Sequence, residues 1–124
     1  VWSSLERPPG WLELCARVGD VFGPVAAGAE AAPFALGDER DFADVLAEGG
    51  LGEASIVERP GTARFASLDS WVTTEIRGWT LADAIDDEQL DRLLAAARTR
   101  LSRFVTADGS VELASPALIA TITV

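Results

Sequence analysis

The sequence contains no histidine, no lysine, no tyrosine and no methionine, and a single cysteine, Cys15. Without histidine the chain lacks the commonest metal ligand and the commonest general base near neutral pH, so no metal site is expected. One cysteine excludes an internal disulfide, and a cytoplasmic location is the default expectation. No apolar run approaches the roughly 18 residues that a membrane helix requires, and no signal-peptide pattern is present. A strand–turn–helix Gly-x-Gly-x-Gly is also missing. Gly49-Gly50-x-Gly52 comes closest, but it has a helix before it and a strand after it, the reverse of a nucleotide-binding turn.

The 124 residues suit one domain with a modest core, and 48% of them are hydrophobic, which excludes a disordered tail. The net charge of −10 arises from 20 acidic residues against ten arginines. Such a chain repels phosphate backbones and anionic lipid, so neither nucleic acid nor a membrane surface is an expected partner. The charges are spread along helices and read as solvated faces. The opening Val1-Trp2-Ser3-Ser4 reads as the end of a buried strand, and more of the same domain is expected before it.

The stretch that organises the chain runs from Ala32 to Leu51. Asp38 is placed to cap a helix through Glu48, with Glu39 and Asp41 in its first turn. Phe42, Val45 and Leu46 form its apolar stripe, and Gly49-Gly50 supplies a left-handed stop. Pro33-Phe34 before it reads as a hinge, and the helix as a cover for the strand beginning at Ala54. Upstream, Trp11, Leu14, Cys15, Val18 and Phe22 recur at helical spacing. Cys15 on that stripe reads as a small buried hydrophobe. Residues 24–33 are almost all Pro, Ala, Gly and Val, and read as a loop in which Glu30 is the only charge.

Downstream, Ala54 to Arg59 reads as a strand, broken at Pro60-Gly61 and resuming from Thr62 to Phe65. Ser67 caps a helix whose stripe is Leu68, Trp71, Val72 and Ile76, extended by Trp79. Thr80 is placed to cap a short turn from Leu81 to Ile85. Asp86 and Gln89 form a capping box for the longest helix, Asp87 to about Val105. The adjacent acids at these helix starts read as caps, and Glu88 and Arg92 as an i,i+4 pair. Arg64 and Arg77 read as surface residues. A turn at Ala107-Asp108-Gly109-Ser110 leads to Val111-Glu112-Leu113. Ala117 to Val124 closes the chain as a strand with apolar residues on both parities, as expected of a strand covered on both faces.

This order of elements resembles the C-terminal portion of class I S-adenosylmethionine-dependent methyltransferases, the group acting on small molecules and quinone-like substrates. The residues that carry the likeness are Val1-Trp2, Ala32-Pro33-Phe34-Ala35-Leu36-Gly37-Asp38 with its helix to Gly49-Gly50-Leu51, and Arg64-Phe65-Ala66-Ser67-Leu68-Asp69-Ser70-Trp71. Asp108-Gly109 before Ala117 to Thr123 fits the turn into the last strand. The resemblance implies an α/β, Rossmann-like fold of which this chain holds the last strands: Val1 to Ser3 as the fifth, Ala54 to Arg59 as the sixth, and Ala117 to Val124 as an antiparallel seventh between them. Taken alone, the chain would be α+β. Residues 67–106 would form a helical insertion covering the substrate side of a single domain, 1–124.

The resemblance further implies S-adenosylmethionine as cofactor, bound by an N-terminal half that lies outside this sequence, so none of these residues is assigned to it. No catalytic residue is assigned either. Methyl transfer to a reactive acceptor is mainly a matter of positioning, and the acceptor's pocket is expected to be aromatic. Trp2, Phe34, Phe65, Trp71 and Trp79 are the candidate substrate-binding residues, with Phe34 and Trp71 foremost. Two other readings stand beside this one. The chain is a stand-alone α+β module that binds a small molecule without catalysis, or a subunit that self-associates or pairs through the open sheet edges at Val1 to Ser3 and Ala54 to Arg59.

Overall fold

The computed structural model describes residues 1–124 as an α+β domain with five helices and two small antiparallel sheets. The helices are α1 (Pro9–Phe22), α2 (Pro24–Ala31), α3 (Glu39–Glu48), α4 (Leu68–Gly78) and α5 (Asp87–Arg100). The strands are β1 (Ser55–Arg59), β2 (Thr62–Phe65), β3 (Val111–Ala114) and β4 (Ala117–Thr121). No helix is long and apolar enough to cross a membrane.

The two sheets form one ribbon with a break in it. β1 pairs with β4 and β2 with β3, and the register is the same on either side: Arg59 faces Ala117 and Thr62 faces Ala114. Pro60 and Pro116 lie in the gap, where neither can donate a ladder hydrogen bond. The Ser115 N–H still reaches the Gly61 carbonyl across it, at 2.8 Å. On the far side of β4 the chain start joins the ladder. Trp2 bridges Ala117 antiparallel, the Leu118 N–H donates to the Val1 carbonyl at 2.7 Å, and the Ser3 N–H donates to Pro116 at 3.0 Å. β4 therefore lies between β1 and Val1–Ser3 and runs against both.

The core is helical. α1, α4 and α5 pack together, with Leu14, Val18, Trp71, Val72, Ile76 and Leu93 fully enclosed. Val111 and Leu113 of β3 close this core from the sheet side. Asp86 and Gln89 form the expected capping box on α5. Asp38 accepts from the N–H groups of Arg40 and Asp41 at the start of α3. At the end of α3, Gly50 adopts φ +79°, and the N–H groups of Leu51 and Gly50 reach back to Leu46 and Ala47. Those two bonds satisfy carbonyls that the helix end leaves free.

Several expectations are corrected. Residues 24–33 are not a loop: α2 occupies most of them and a 3-10 turn, Ala32–Phe34, follows. Pro24 sits where its missing N–H has no partner to lose, and the alanines favour the helix once Gly23, at φ +91°, has turned the chain. α5 ends at Arg100 instead of near Val105, because Val105 bridges Val111 and the Thr106 N–H bonds Ser110 to close a turn. β4 is covered on one face only: Leu118 is buried, whereas Ile119 is 47% exposed, opposite a Val57 that is 39% exposed. The strand ends at Thr121, short of Val124.

α3 buries no residue completely. Phe42 and Leu46 are half-covered and Val45 is exposed. Thr80 does not cap the turn after it; its hydroxyl donates to the Ala29 carbonyl and ties α4's end to α2. Arg77 is no free surface residue, since its guanidinium donates to the Ala82 and Ile85 carbonyls and pairs with Asp87. Arg64 pairs with Glu112 across β2 and β3. Glu88 and Arg92 form no ion pair.

Candidate functional site: an aromatic pocket with a carboxylate wall

Aromatic side chains from distant parts of the chain converge where the ribbon meets the helices. Trp2 comes from the first paired residues, Trp11 from α1, Phe34 from the 3-10 turn, Phe65 from the end of β2 and Trp79 from the end of α4. Together with Pro33, Ala63, Thr74, Glu75 and Ser115 they line a cavity of about 240 Å³. The rings touch in series. Trp2 lies 5.8 Å from Phe34 at 32° and 5.8 Å from Trp79 at 74°, and Phe34 lies 6.3 Å from Trp11 at 54°.

Gly37 helps to fix this arrangement. A Cβ there would fall 2.2 Å from the Ser4 nitrogen, so the stretch from Pro33 to Asp38 can lie directly on the chain start only as glycine. The Ser4 N–H donates to the Gly37 carbonyl at 3.0 Å and holds Phe34 near Trp2. The organising stretch therefore acts here through its turn, while α3 stands aside.

Four of the five expected aromatics, Trp2, Phe34, Phe65 and Trp79, line this one cavity. Trp71 does not. It is fully buried behind the pocket, 6.2 Å from Trp11, 6.3 Å from Phe65 and 6.2 Å from Phe104. Its position on α4 places it in the apolar stripe with Val72 and Ile76, facing α1 and α5. Trp71 thus backs the pocket wall and does not meet what enters it.

The polar side of the pocket is absent from the sequence expectations. Glu75 lines it, one turn after Trp71 on α4 and one turn before Trp79, which follows the end of that helix. Burial raises its pKa, and hydrogen bonding with the Trp11 side chain pulls the other way. Behind it Glu30 is only 4% exposed, and its Oε2 has no hydrogen-bond partner. Burial, and then the charge of Glu75, push the Glu30 pKa up to about 7. Cys15 belongs to the same cluster. Burial, then Glu30 and Glu75, push its thiol up to about 12, so it stays protonated and packs as a hydrophobe. Two signals in the sequence point to these acids: Glu30 is the only charge in an apolar segment, and Glu75 sits on an aromatic stripe.

No other group balances these acids. The six ion pairs of the chain use neither Glu30 nor Glu75, and no arginine lines the pocket. No group of three or more His, Cys, Asp or Glu side chains is arranged to hold a metal ion. The residues present do not fit an S-adenosylmethionine cradle. Gly49-Gly50 is a helix stop, with Gly49 as the C-cap of α3 and Gly50 at φ +79° turning the chain out of it, so these glycines serve the end of a helix and not a strand–turn–helix cradle. Comparison with protein-family models, curated proteins and solved structures finds no match to this chain.

Proposed function

We propose that this chain is the substrate-covering, C-terminal region of an S-adenosylmethionine-dependent methyltransferase, and that it holds a small molecule in the aromatic pocket. The observation that carries the reading is β4, which lies antiparallel between β1 and Val1–Ser3. That reversed strand between two mutually parallel ones is the arrangement the resemblance implies. α4, within residues 67–106, supports the covering role, since it supplies Thr74 and Glu75 to the pocket and Trp79 follows its end. The cofactor would be held by residues outside this sequence, so no transfer step is assigned to residues of this chain.

The test joins this chain to the sequence that precedes it and measures S-adenosylmethionine binding by calorimetry. Binding in the micromolar range, about −8 kcal/mol, is the expected result. A strand followed by Gly-x-Gly-x-Gly in the preceding sequence would agree with it. A folded, joined protein that binds no cofactor overturns the assignment.

A second reading is supported by the pocket itself. Its lining is drawn from segments spread along the chain, from Trp2 to Ser115, and gathered by the fold into one cavity, which suits a stand-alone binding module. Retention of a small molecule by the chain alone, with no cofactor binding in the joined protein, favours that reading over the enzyme.

A further inference from the structure

A ligand in this pocket must satisfy two features at once. The walls are aromatic and lie in several planes, with successive rings at 32°, 54° and 74° to one another. The single ionisable side chain in the lining is an acid, Glu75. A neutral apolar ligand would cover that carboxylate and leave it the Trp11 side chain alone to offset the lost water, at a desolvation cost. An anion would meet Glu75 directly and Glu30 behind it, two like charges in a setting of low dielectric. A cation is drawn to the ring faces by their quadrupoles and to the carboxylate by its charge.

We propose that the pocket takes a small organic cation, a protonated or quaternary amine, with Glu75 as its counter-ion and the tryptophans and phenylalanines as its walls. The proposal rests on reading this cavity as the chain's ligand site and specifies what enters it. Size narrows the class further. The cavity, about 240 Å³, is below the roughly 300–1,000 Å³ of pockets for drug-sized molecules. The occupant is therefore an amine of a few heavy atoms, or the ammonium end of a longer molecule. Thr74 and Ser115 supply the remaining polar contacts in the lining, and either hydroxyl can donate to an oxygen on the ligand or accept from an ammonium N–H.

Glu75 is faced by Trp11 from α1 and by Glu30 from α2, with Cys15 on α1 in the same electrostatic neighbourhood. No basic group is among them. Protonation of the acids removes the attraction, so cation affinity rises with pH as they ionise.

The experiment titrates the whole chain with choline, with the uncharged alcohol in which carbon replaces the choline nitrogen, and with the carboxylate bearing the same tert-butyl group. Tryptophan fluorescence and calorimetry are read at low salt and about pH 8, above the Glu30 value. Choline is expected to bind at least about tenfold more tightly than the alcohol. The carboxylate is expected not to bind. Glu75→Gln should abolish most of the preference while leaving the alcohol's affinity within about twofold. Trp79→Ala, at a half-exposed position on the pocket rim, should weaken choline more than the alcohol. An alcohol that binds as tightly as choline, or a preference that survives Glu75→Gln, overturns the proposal and leaves the pocket as the ligand site. Should none of the three probes bind, the site reading falls and the proposal falls with it.

Discussion

Trp2 and Trp79 meet edge to face, 5.8 Å apart at 74°, and this contact joins the ribbon to the helical layer. Trp2 is held by its bridge to Ala117, and Trp79 by the end of α4. Neither element reaches the other by backbone pairing, so side chains make the connection at this corner. Aromatic pairs of this kind contribute about 0.5–1.5 kcal/mol beyond the area they bury. The rings that form the pocket rim are thus also part of what holds the two layers in place. A pocket built in this way is formed before any ligand arrives.

The difference between wall and backing is measurable at the two tryptophans of α4's stripe. Trp71 is fully enclosed, and Trp71→Ala leaves a large cavity among Trp11, Phe65 and Phe104, with an expected loss of about 3–5 kcal/mol. Trp79 is 47% exposed, and Trp79→Ala, which removes its pair with Trp2 and a partly buried ring, should cost about 1–2 kcal/mol. Urea denaturation of both variants decides the matter. Equal losses would mean that Trp79 is as deeply built in as Trp71 and would contradict its place at the rim.

The sidedness of β4 gives a second contrast. Leu118 points into the protein and is 3% exposed, whereas its neighbour Ile119 is 47% exposed. Leu118→Ala is expected to cost about 2–5 kcal/mol. Ile119→Thr keeps the β-branched shape on an open face and should change stability by less than about 0.5 kcal/mol. Thermal melts of the two variants check this. A large loss at Ile119 would show that its face is covered in solution, as the apolar residues on both parities led one to expect.

That expectation shows where sequence pattern and structure part. The local signals are decisive wherever a side chain acts on its own backbone. Asp38, Ser67, Asp86 and Gln89 cap the helices at the expected places, and Gly50 turns the chain out of α3. The pattern misleads where the answer depends on what lies across the element. Alanines in residues 24–33 carry no periodic signal, yet they form α2 because the residues facing them are supplied by α1. Ile119 and Val57 look like core residues, but only the opposite face of the ribbon has a partner layer. Aromatic residues near loops and helix ends pick out most of the pocket, since such positions lie at the meeting points of elements. Trp11 and Glu75 were legible only as stripe positions on helices, because nothing local tells a stripe that faces a core from one that opens into a cavity.

The buried acids make stability depend on pH in an unusual direction. The Glu30 pKa rises from 4.5 to about 7 in the folded chain, first through burial and then through Glu75. The folded state therefore holds a proton there that the unfolded state has released. Its contribution to stability is fully present below about pH 4.5 and is lost as pH rises through about 7. The rise corresponds to an effect on the order of 3 kcal/mol. Glu75 is raised by burial and acts in the same sense. Asp69, Glu58 and Asp108 are lowered by hydrogen bonds to Arg98, to Arg7 and Ser3, and to Ser110 and Thr106. Their stabilising contribution is lost only on acidification below the ordinary carboxylate range, so it does not overlap this window. Urea denaturation of the wild type between about pH 5 and pH 8 should show stability falling as pH rises. Glu30→Gln keeps the shape without the charge. It should gain most at about pH 8 and little at about pH 5, which flattens the profile. A wild-type profile that rises across this range, or a variant whose gain is the same at both ends, would show that Glu30 is not ionised against burial and that the acidic wall has a partner in solution.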